Sequence, residues 1–399
     1  MRLLLITENY PPDRGGMGES CDRIVRGLGR AGVAIDLVHV DRKSATASSH
    51  QTSTGSLMRV PAEADTAHAM NLLWNRLQQN LDVNLHMGAV THVVAFGGAL
   101  PLLAAPVFAA WMACPLVTLI RGNELDAGLF DPRRRPILDD ALRRSDAICT
   151  VTQSQAKKIA ALHPETQPHV VPNGIDLELW QATDADRARG AAWRADNVEP
   201  SRRVLGFFGH LKNKKGVPFF VESLLRSGLA DRFHLLLVGE VEEGLRSMLP
   251  ELSHSLVPGV DRFDLLPFYA AADLIVLPSH YDGFPNVLIE AATLGKPLVA
   301  SAVGGMLDVL TEGEEAFLFP PGDGHACRDA IARAAAIGSK ELRQMGTAAA
   351  TLARHRFDAR DETRHYLEVL EKVQEVFDAN TDEDRRSDPA ALRLSWRAR

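Results

Sequence analysis

Cysteine is scarce in this chain: 4 in 399 residues, at Cys21, Cys114, Cys149 and Cys327. No two of them have the spacing of a metal site, and nothing in their distribution suggests a disulfide framework, so a reducing, cytoplasmic setting is expected. Positive charge is not in excess. Forty-four Lys and Arg stand against 51 Asp and Glu, a net charge of -7, which argues against a dedicated nucleic-acid binder. There is no low-complexity tract and no short-period repeat. At the amino terminus the apolar run after Arg2 is only LLLI before polar residues follow, too short for a signal-peptide core, and it reads as a first strand. The long uncharged stretch is Val93 to Ile120. It is interrupted by Gly97, Gly98, Pro101, Pro106 and Pro115, so it reads as strand HVVAF, helix LLAAPVFAAWMA and strand PLVTLI in a soluble core rather than as a membrane span.

A chain of this length exceeds what one hydrophobic core usually serves, and ordinary proportions of apolar (46%) and charged (24%) residues mark it as globular. Short β-rich runs alternate with helical stretches: RLLLIT, AIDLVHV, HVVAF, PLVTLI, AICTVT and HVVP, then VLGFFG, HLLLVG, LIVLPS and PLVAS. Such alternation implies parallel sheets. The pattern restarts at Arg203 after a polar stretch, 181–202, and Pro172-Asn173-Gly174 supplies a turn suited to a hinge. The expected architecture is therefore α/β, with two doubly wound, Rossmann-like parallel-sheet domains facing each other across a cleft. Residues 1–172 form the first and 177–357 the second, with a helix at about 358–378 packing back on the first. The Ser/Thr-rich segment 42–64 reads as a surface loop and 379–399 as a disordered tail.

Chemistry concentrates in YDGFPNVLIEAATLGKP, Tyr281 to Pro297. A strand, LIVLPS, ends just before it. The loop then leads into a helix with Pro285 near its start and Gly295 beyond its end, as helix termini prefer. Glu290 is that apolar helix's only charge, and a carboxylate there is costly unless it is hydrogen-bonded, which a sugar diol could satisfy. Gly283 permits close backbone approach, and the free N–H groups of the first turn can hold phosphate or hydroxyl oxygens. The plainer alternative has Asp282 capping the helix and Glu290 facing water. Two further segments are candidates. GFFGHLKNKKG, Gly206 to Gly216, sets His210 and three lysines after a strand, where they would meet a diphosphate or simply form a solvated loop. PPDRGGMGES, Pro11 to Ser20, has paired glycines ahead of a helix.

Together these segments resemble the retaining glycosyltransferases of family 4, which have the GT-B fold. The family's EGFPxxxxE marker is matched by DGFPNVLIE from Asp282 to Glu290, followed by an alanine and GKP. The Gly15-Gly16 loop, PNGID, GHLKNKKG, LLVGE, LPFYAAADLIVLPS and AVGGMLDVL follow in the family's order. The resemblance implies that Glu290 binds the nucleotide ribose and Lys215 the diphosphate. It implies that Gly283, Phe284, Asn286 and Val287 present backbone groups to the transferred sugar, with Asp282 near its hydroxyls, and that Gly16 meets the phosphates. Three positions depart from the pattern. Asp282 replaces the usual first Glu, His210 replaces an Arg and so makes a fixed charge pH-dependent, and Arg121, in LIRGNELD, stands where many members carry a sugar-facing histidine. The catalytic set is then Lys215, His210, Asp282 and Glu290, with Gly16 and Arg121 completing donor binding.

The expected reaction moves a sugar from a nucleotide-diphosphate donor to an acceptor hydroxyl with retention. Lys215, protonated His210 and helix-terminal amides stabilise the departing diphosphate, so no metal or other cofactor is required. The two Asp-x-Asp matches, beginning at Asp184 and Asp382, lie in polar segments rather than after apolar strands. The expected acceptor is a glycan, a lipid-linked molecule or a small molecule, and no nucleic-acid partner is expected. Arg133, Arg134, Arg135, Arg143 and Arg144 suit either a solvated face or peripheral contact with an anionic inner membrane face. Competing functions are a sugar-nucleotide epimerase or a catalytically weak sugar-nucleotide-binding protein of the same fold. An NAD-dependent oxidoreductase is a further alternative, suggested by Gly16-Met-Gly18 with Asp41 but opposed by Cys21 at the third glycine position.

Overall fold

Alternate residues of the first strand feed two different cores: Leu3 and Leu5 pack with Ile35, Val94 and Phe96, whereas Leu4 and Ile6 pack with Val38, Val93 and Ala95. A strand covered on both faces has to be apolar throughout, which is why RLLLIT and HVVAF show no alternation. The computed structural model describes residues 1–13, 15–62, 66–83, 90–122 and 124–387. Within them the chain divides into two compact units. The first comprises Met1–Val151, Gln155–Val171 and the chain from Glu362, and the second Thr152–Ser154 and Pro172–Asp361.

The first unit holds β1 (Arg2–Thr7), β2 (Ala34–Asp41), β3 (Ser48–Gln51), β4 (Gly55–Pro61), β5 (His92–Phe96), β6 (Leu116–Ile120), β7 (Ala147–Thr150) and β8 (His169–Val170). They form one sheet in the order β3-β4-β2-β1-β5-β6-β7-β8, parallel except at β3–β4. The uncharged stretch is β5, the helix Ala99–Met112 and β6. Among the described residues, no helix is long and apolar enough to cross a membrane. One face of the sheet is closed by the helix Gly16–Arg30 and by the chain's last helix, Ala359–Ser387, whose Tyr366, Val369, Leu370 and Val373 enter the core.

The second unit holds β9 (Arg203–Phe208), β10 (Phe233–Val238), β11 (His254–Val257), β12 (Leu274–Leu277), β13 (Leu298–Ser301) and β14 (Ala316–Phe319), ordered β11-β10-β9-β12-β13-β14 and parallel throughout. Strand order reverses between β9 and β12. In an open parallel sheet the loops leaving the carboxyl ends of such a neighbouring pair diverge and leave a crevice for ligands.

Two expectations fail, and one polar stretch with no expected element is helical. Segment 42–64 is not all loop: it contains β3 and β4, because Leu57, Met58 and Val60 are buried against the sheet while polar β3 lies exposed along its edge. The polar stretch 181–202 contains the helix Asp184–Asn197, started by a capping box in which Thr183 and Asp186 satisfy each other's backbone N–H groups. The 379–399 tail is helical as far as Ser387, with no Gly or Pro to stop it before Pro389; residues 388–399 lie outside the described part.

Candidate active site of the second unit

The crevice between β9 and β12 is built by three loops locked onto one another. The loop after β9 turns at Gly216, whose φ of 66° lies in the left-handed region; a Cβ there would run into the carbonyl of Pro278, just after β12. That close approach carries Lys215 to the neighbouring loop. Its Nζ lies 2.5 Å from Asp282 Oδ2, and Ser279 Oγ donates to the same oxygen at 3.3 Å. The Asp282 side chain is 13% exposed and that of Lys215 31%. Two residues singled out from separate segments of sequence therefore form one ion pair, mostly shielded yet open at one side. Asp282 does not cap the helix that follows, whose N-cap, Pro285, has no side-chain cap.

The third loop follows β13. Gly305 N donates to Gly283 O at 2.7 Å, and a Cβ on Gly305 would overlap the ring of Phe284. From the other side, Asn173 Nδ2 donates to Phe284 O at 2.8 Å and lies 3.3 Å from Asn286 Oδ1. The turn read as a hinge thus also braces the start of the helix Asn286–Thr293, where Val287 is half-buried. Held at both ends, Gly283 to Val287 is a preorganised backbone surface.

Glu290, one helical turn further on, meets its burial cost inside the protein: Tyr269 OH donates to Oε2 at 2.8 Å, and Trp180 Nε1 donates to its backbone carbonyl at 3.1 Å. Tyr269 is wholly buried and stacked on Phe208 of β9 at 3.9 Å. Burial and the adjacent Glu290 push its phenol pKa well above the ordinary value, so it remains a donor. Tyr269 and Asn173 were not singled out as site residues. The only trace of Tyr269 is its place in LPFYAAADLIVLPS, since a tyrosine that serves a carboxylate 21 positions away leaves no local pattern.

His210 lies on the loop after β9 but is exposed, with Nε2 2.7 Å from Glu240 Oε2. Of the two Asp-x-Asp matches, Asp184 pairs with Arg187 at 2.6 Å and Asp186 serves the capping box, so both belong to a helix start; the side chains of Asp382 and Asp384 lie outside the described residues. Gly16 and Arg121 belong to the first unit. Gly16 opens the helix Gly16–Arg30, whose N-cap Gly15 offers no side-chain cap. Arg121 differs from its expected placement. Its side chain is 1% exposed, bonded to Tyr366 OH and 3.0 Å from Glu362 Oε1, and Glu362 is also held by Arg23 at 2.7 Å. A guanidinium enclosed in this way anchors the chain's last helix, because a buried cation needs buried acceptors.

Residues 14–179 match the family described as Glycosyltransferase Family 4, and residues 202–336 match Glycosyl transferases group 1. The chain is 29% identical over 228 residues to D-inositol 3-phosphate glycosyltransferase of Acidothermus cellulolyticus, covering 52% of this chain and 48% of the relative. It is 32% identical over 207 residues to the enzyme of the same name from Actinosynnema mirum, covering 47% and 49%. The chain thus spans about half the length of the curated relatives it matches. Among solved structures, sucrose-phosphate synthase from Thermosynechococcus elongatus superposes with a TM-score of 0.77 at 19% identity, covering 95% of this chain and 99% of that one. HepE from Anabaena, in complex with UDP and glucose, gives 0.72 at 19% identity, covering 93% and 99%. At such identities the likeness is one of fold.

Proposed function

The chain belongs to the glycosyl transferases of group 1 and family 4 and has their GT-B fold, and from that membership we propose that it transfers a sugar from a nucleotide-diphosphate donor to an acceptor hydroxyl with retention of anomeric configuration. The observation that carries the reading is the shielded Lys215–Asp282 pair at the foot of the helix bearing Glu290. In the absence of donor, Asp282 neutralises the Lys215 ammonium. When donor binds, a diphosphate oxygen takes the ammonium, and the released carboxylate accepts a hydroxyl of the transferred sugar. Glu290, oriented by Tyr269, receives the ribose hydroxyls, and the braced backbone from Gly283 to Val287 faces the sugar. The solved HepE complex with UDP and glucose supports a donor of this class.

Transfer with retention requires the acceptor to attack the face from which the diphosphate leaves. The transition state is oxocarbenium-like, and its largest need is stabilisation of the departing negative charge. Lys215 and the positive end of the helix Asn286–Thr293 supply it, helped by His210 when protonated. On this reading no metal ion is required, and Arg121 has a structural part rather than a sugar contact. A panel of UDP-, GDP- and ADP-sugars with NAD, read by thermal shift, tests the proposal. One sugar-nucleotide class should raise Tm by several degrees, as ligand well above its Kd does; stabilisation by NAD alone would overturn it. Donor turnover only in the presence of acceptor separates a transferase from an epimerase or a silent binder.

The acceptor is a glycan, a lipid-linked molecule or a small molecule, and contact with an anionic membrane face is part of the proposal. Phe130 is 88% exposed just before Arg133, Arg134 and Arg135, an apolar and basic combination suited to headgroups. Arg134 and Arg135 are partly spent on Asp131 and Asp139, at 3.3 and 3.6 Å. The chain is expected to co-sediment with phosphatidylserine vesicles at low salt, and replacing Phe130, Arg133, Arg134 and Arg135 by alanine should weaken this about tenfold or more, at up to about 1 kcal/mol per arginine. Absence of binding at low salt would remove the membrane from the proposal.

A further inference from the structure

In the first unit, the carboxyl end of β2 and the loop after β1 bring together Asp13, His39 and Asp41, with one ligand atom of each within 4.8 Å of the others. His39 is wholly buried, and it lies beside Thr7 on β1 and Arg59 on β4. Neither of its ring nitrogens has a hydrogen-bond partner, although Nε2 is 3.2 Å from Asp13 Oδ2. Other interior histidines are not left in this condition. His234 is bonded to Ser253 and Ser255 at 2.8 and 3.0 Å, and His92 to Thr91 and the Leu370 carbonyl, both at 2.9 Å. A buried imidazole without hydrogen bonds, aimed among two carboxylates, is costly unless something else occupies the space.

The charges around it narrow what that is. Asp13 Oδ1 accepts from Lys43 Nζ at 2.6 Å and Asp41 Oδ1 from the Lys43 backbone at 2.8 Å, while Arg59 stands beside His39. The Lys43 side chain is 78% exposed and can swing into water, leaving two carboxylates against one arginine and a net negative site. A neutral imidazole carries a lone pair on one ring nitrogen, and His39 is wholly buried beside both carboxylates. One imidazole and two carboxylates suit a borderline divalent cation. We propose that Asp13, His39 and Asp41 bind a divalent transition-metal ion of the Zn2+ or Mn2+ class, which ties the loop leading to Gly15 and Gly16 onto the end of β2. The ion shapes that loop; it takes no part in the departure of the diphosphate, and the inference does not depend on the donor.

The test is isothermal titration of the chelator-treated full chain with Zn2+, and separately with Mn2+, in the absence of donor. One saturable site is expected for at least one of the two ions, accompanied by a rise in Tm. Asp13→Asn and Asp41→Asn should each weaken binding at least tenfold and abolish the Tm rise, and His39→Ala should do the same if it folds. Lys43→Ala should tighten binding severalfold, because the ammonium competes for Asp13. No saturable site with either ion, unchanged affinity in both Asp variants, or Lys43→Ala binding no more tightly than the parent would overturn the proposal.

Discussion

Replacing Lys215 by alanine is expected to lower turnover with the correct donor by about two to three orders of magnitude, the usual consequence of removing one preorganised stabiliser of developing negative charge. The loss should fall mainly on kcat, because the charge on the leaving diphosphate grows as the bond breaks. Stability changes as well. Asp282 is left shielded without its ammonium, at a cost of about 1–3 kcal/mol, visible as a lower Tm. The double variant Lys215→Ala with Asp282→Asn separates the two effects: it should recover much of the Tm and none of the turnover. Unchanged turnover in Lys215→Ala would refute the phosphate role.

Arg121→Met is expected to produce the largest loss of stability, about 3 kcal/mol, near the lower end of the range for breaking a buried ion pair. The lower end applies because Glu362 keeps Arg23, which contacts it at 2.7 and 3.2 Å. The burial cost that would strip Arg121 of its proton is outweighed by Tyr366 and Glu362, which push its pKa up, so the lost group is a charge at every accessible pH. Urea unfolding measures the change. If the variant, assayed below its lowered Tm, turns donor over at the parent rate, Arg121 belongs to the fold. Loss of turnover with unchanged unfolding would return it to the donor site.

The contrast between these two residues shows what a sequence can disclose. Lys215 and Asp282 lie in short segments at strand ends, and it is the resemblance of those segments to the family pattern that singles the two residues out. The buried strands were legible because parallel sheets covered on both faces leave uninterrupted apolar runs. Residues that act across long separations were not. Tyr269 reaches Glu290, Asn173 braces Phe284, and Glu362 receives Arg121 from 241 positions away. Edge strand β3 escaped notice because an exposed edge needs no apolar residues, so SSHQ looks like loop. Thr183 and Asp186 did form a readable capping box, but the polar helix behind it buries little and shows no apolar stripe.

The chain's last helix gives the molecule an order of assembly. During synthesis the residues of the first unit's sheet emerge before the main part of the second, Pro172–Asp361, yet Tyr366, Val369, Leu370 and Val373, which complete its core around Leu3, Leu5 and Val94, emerge after it. Until then an apolar face of the first-made sheet stays open, and it must be shielded from aggregation for as long as the ribosome takes to add nearly two hundred residues, roughly ten seconds or more. The unit made first is the unit finished last, while the second unit, continuous apart from Thr152–Ser154, can close on its own sequence.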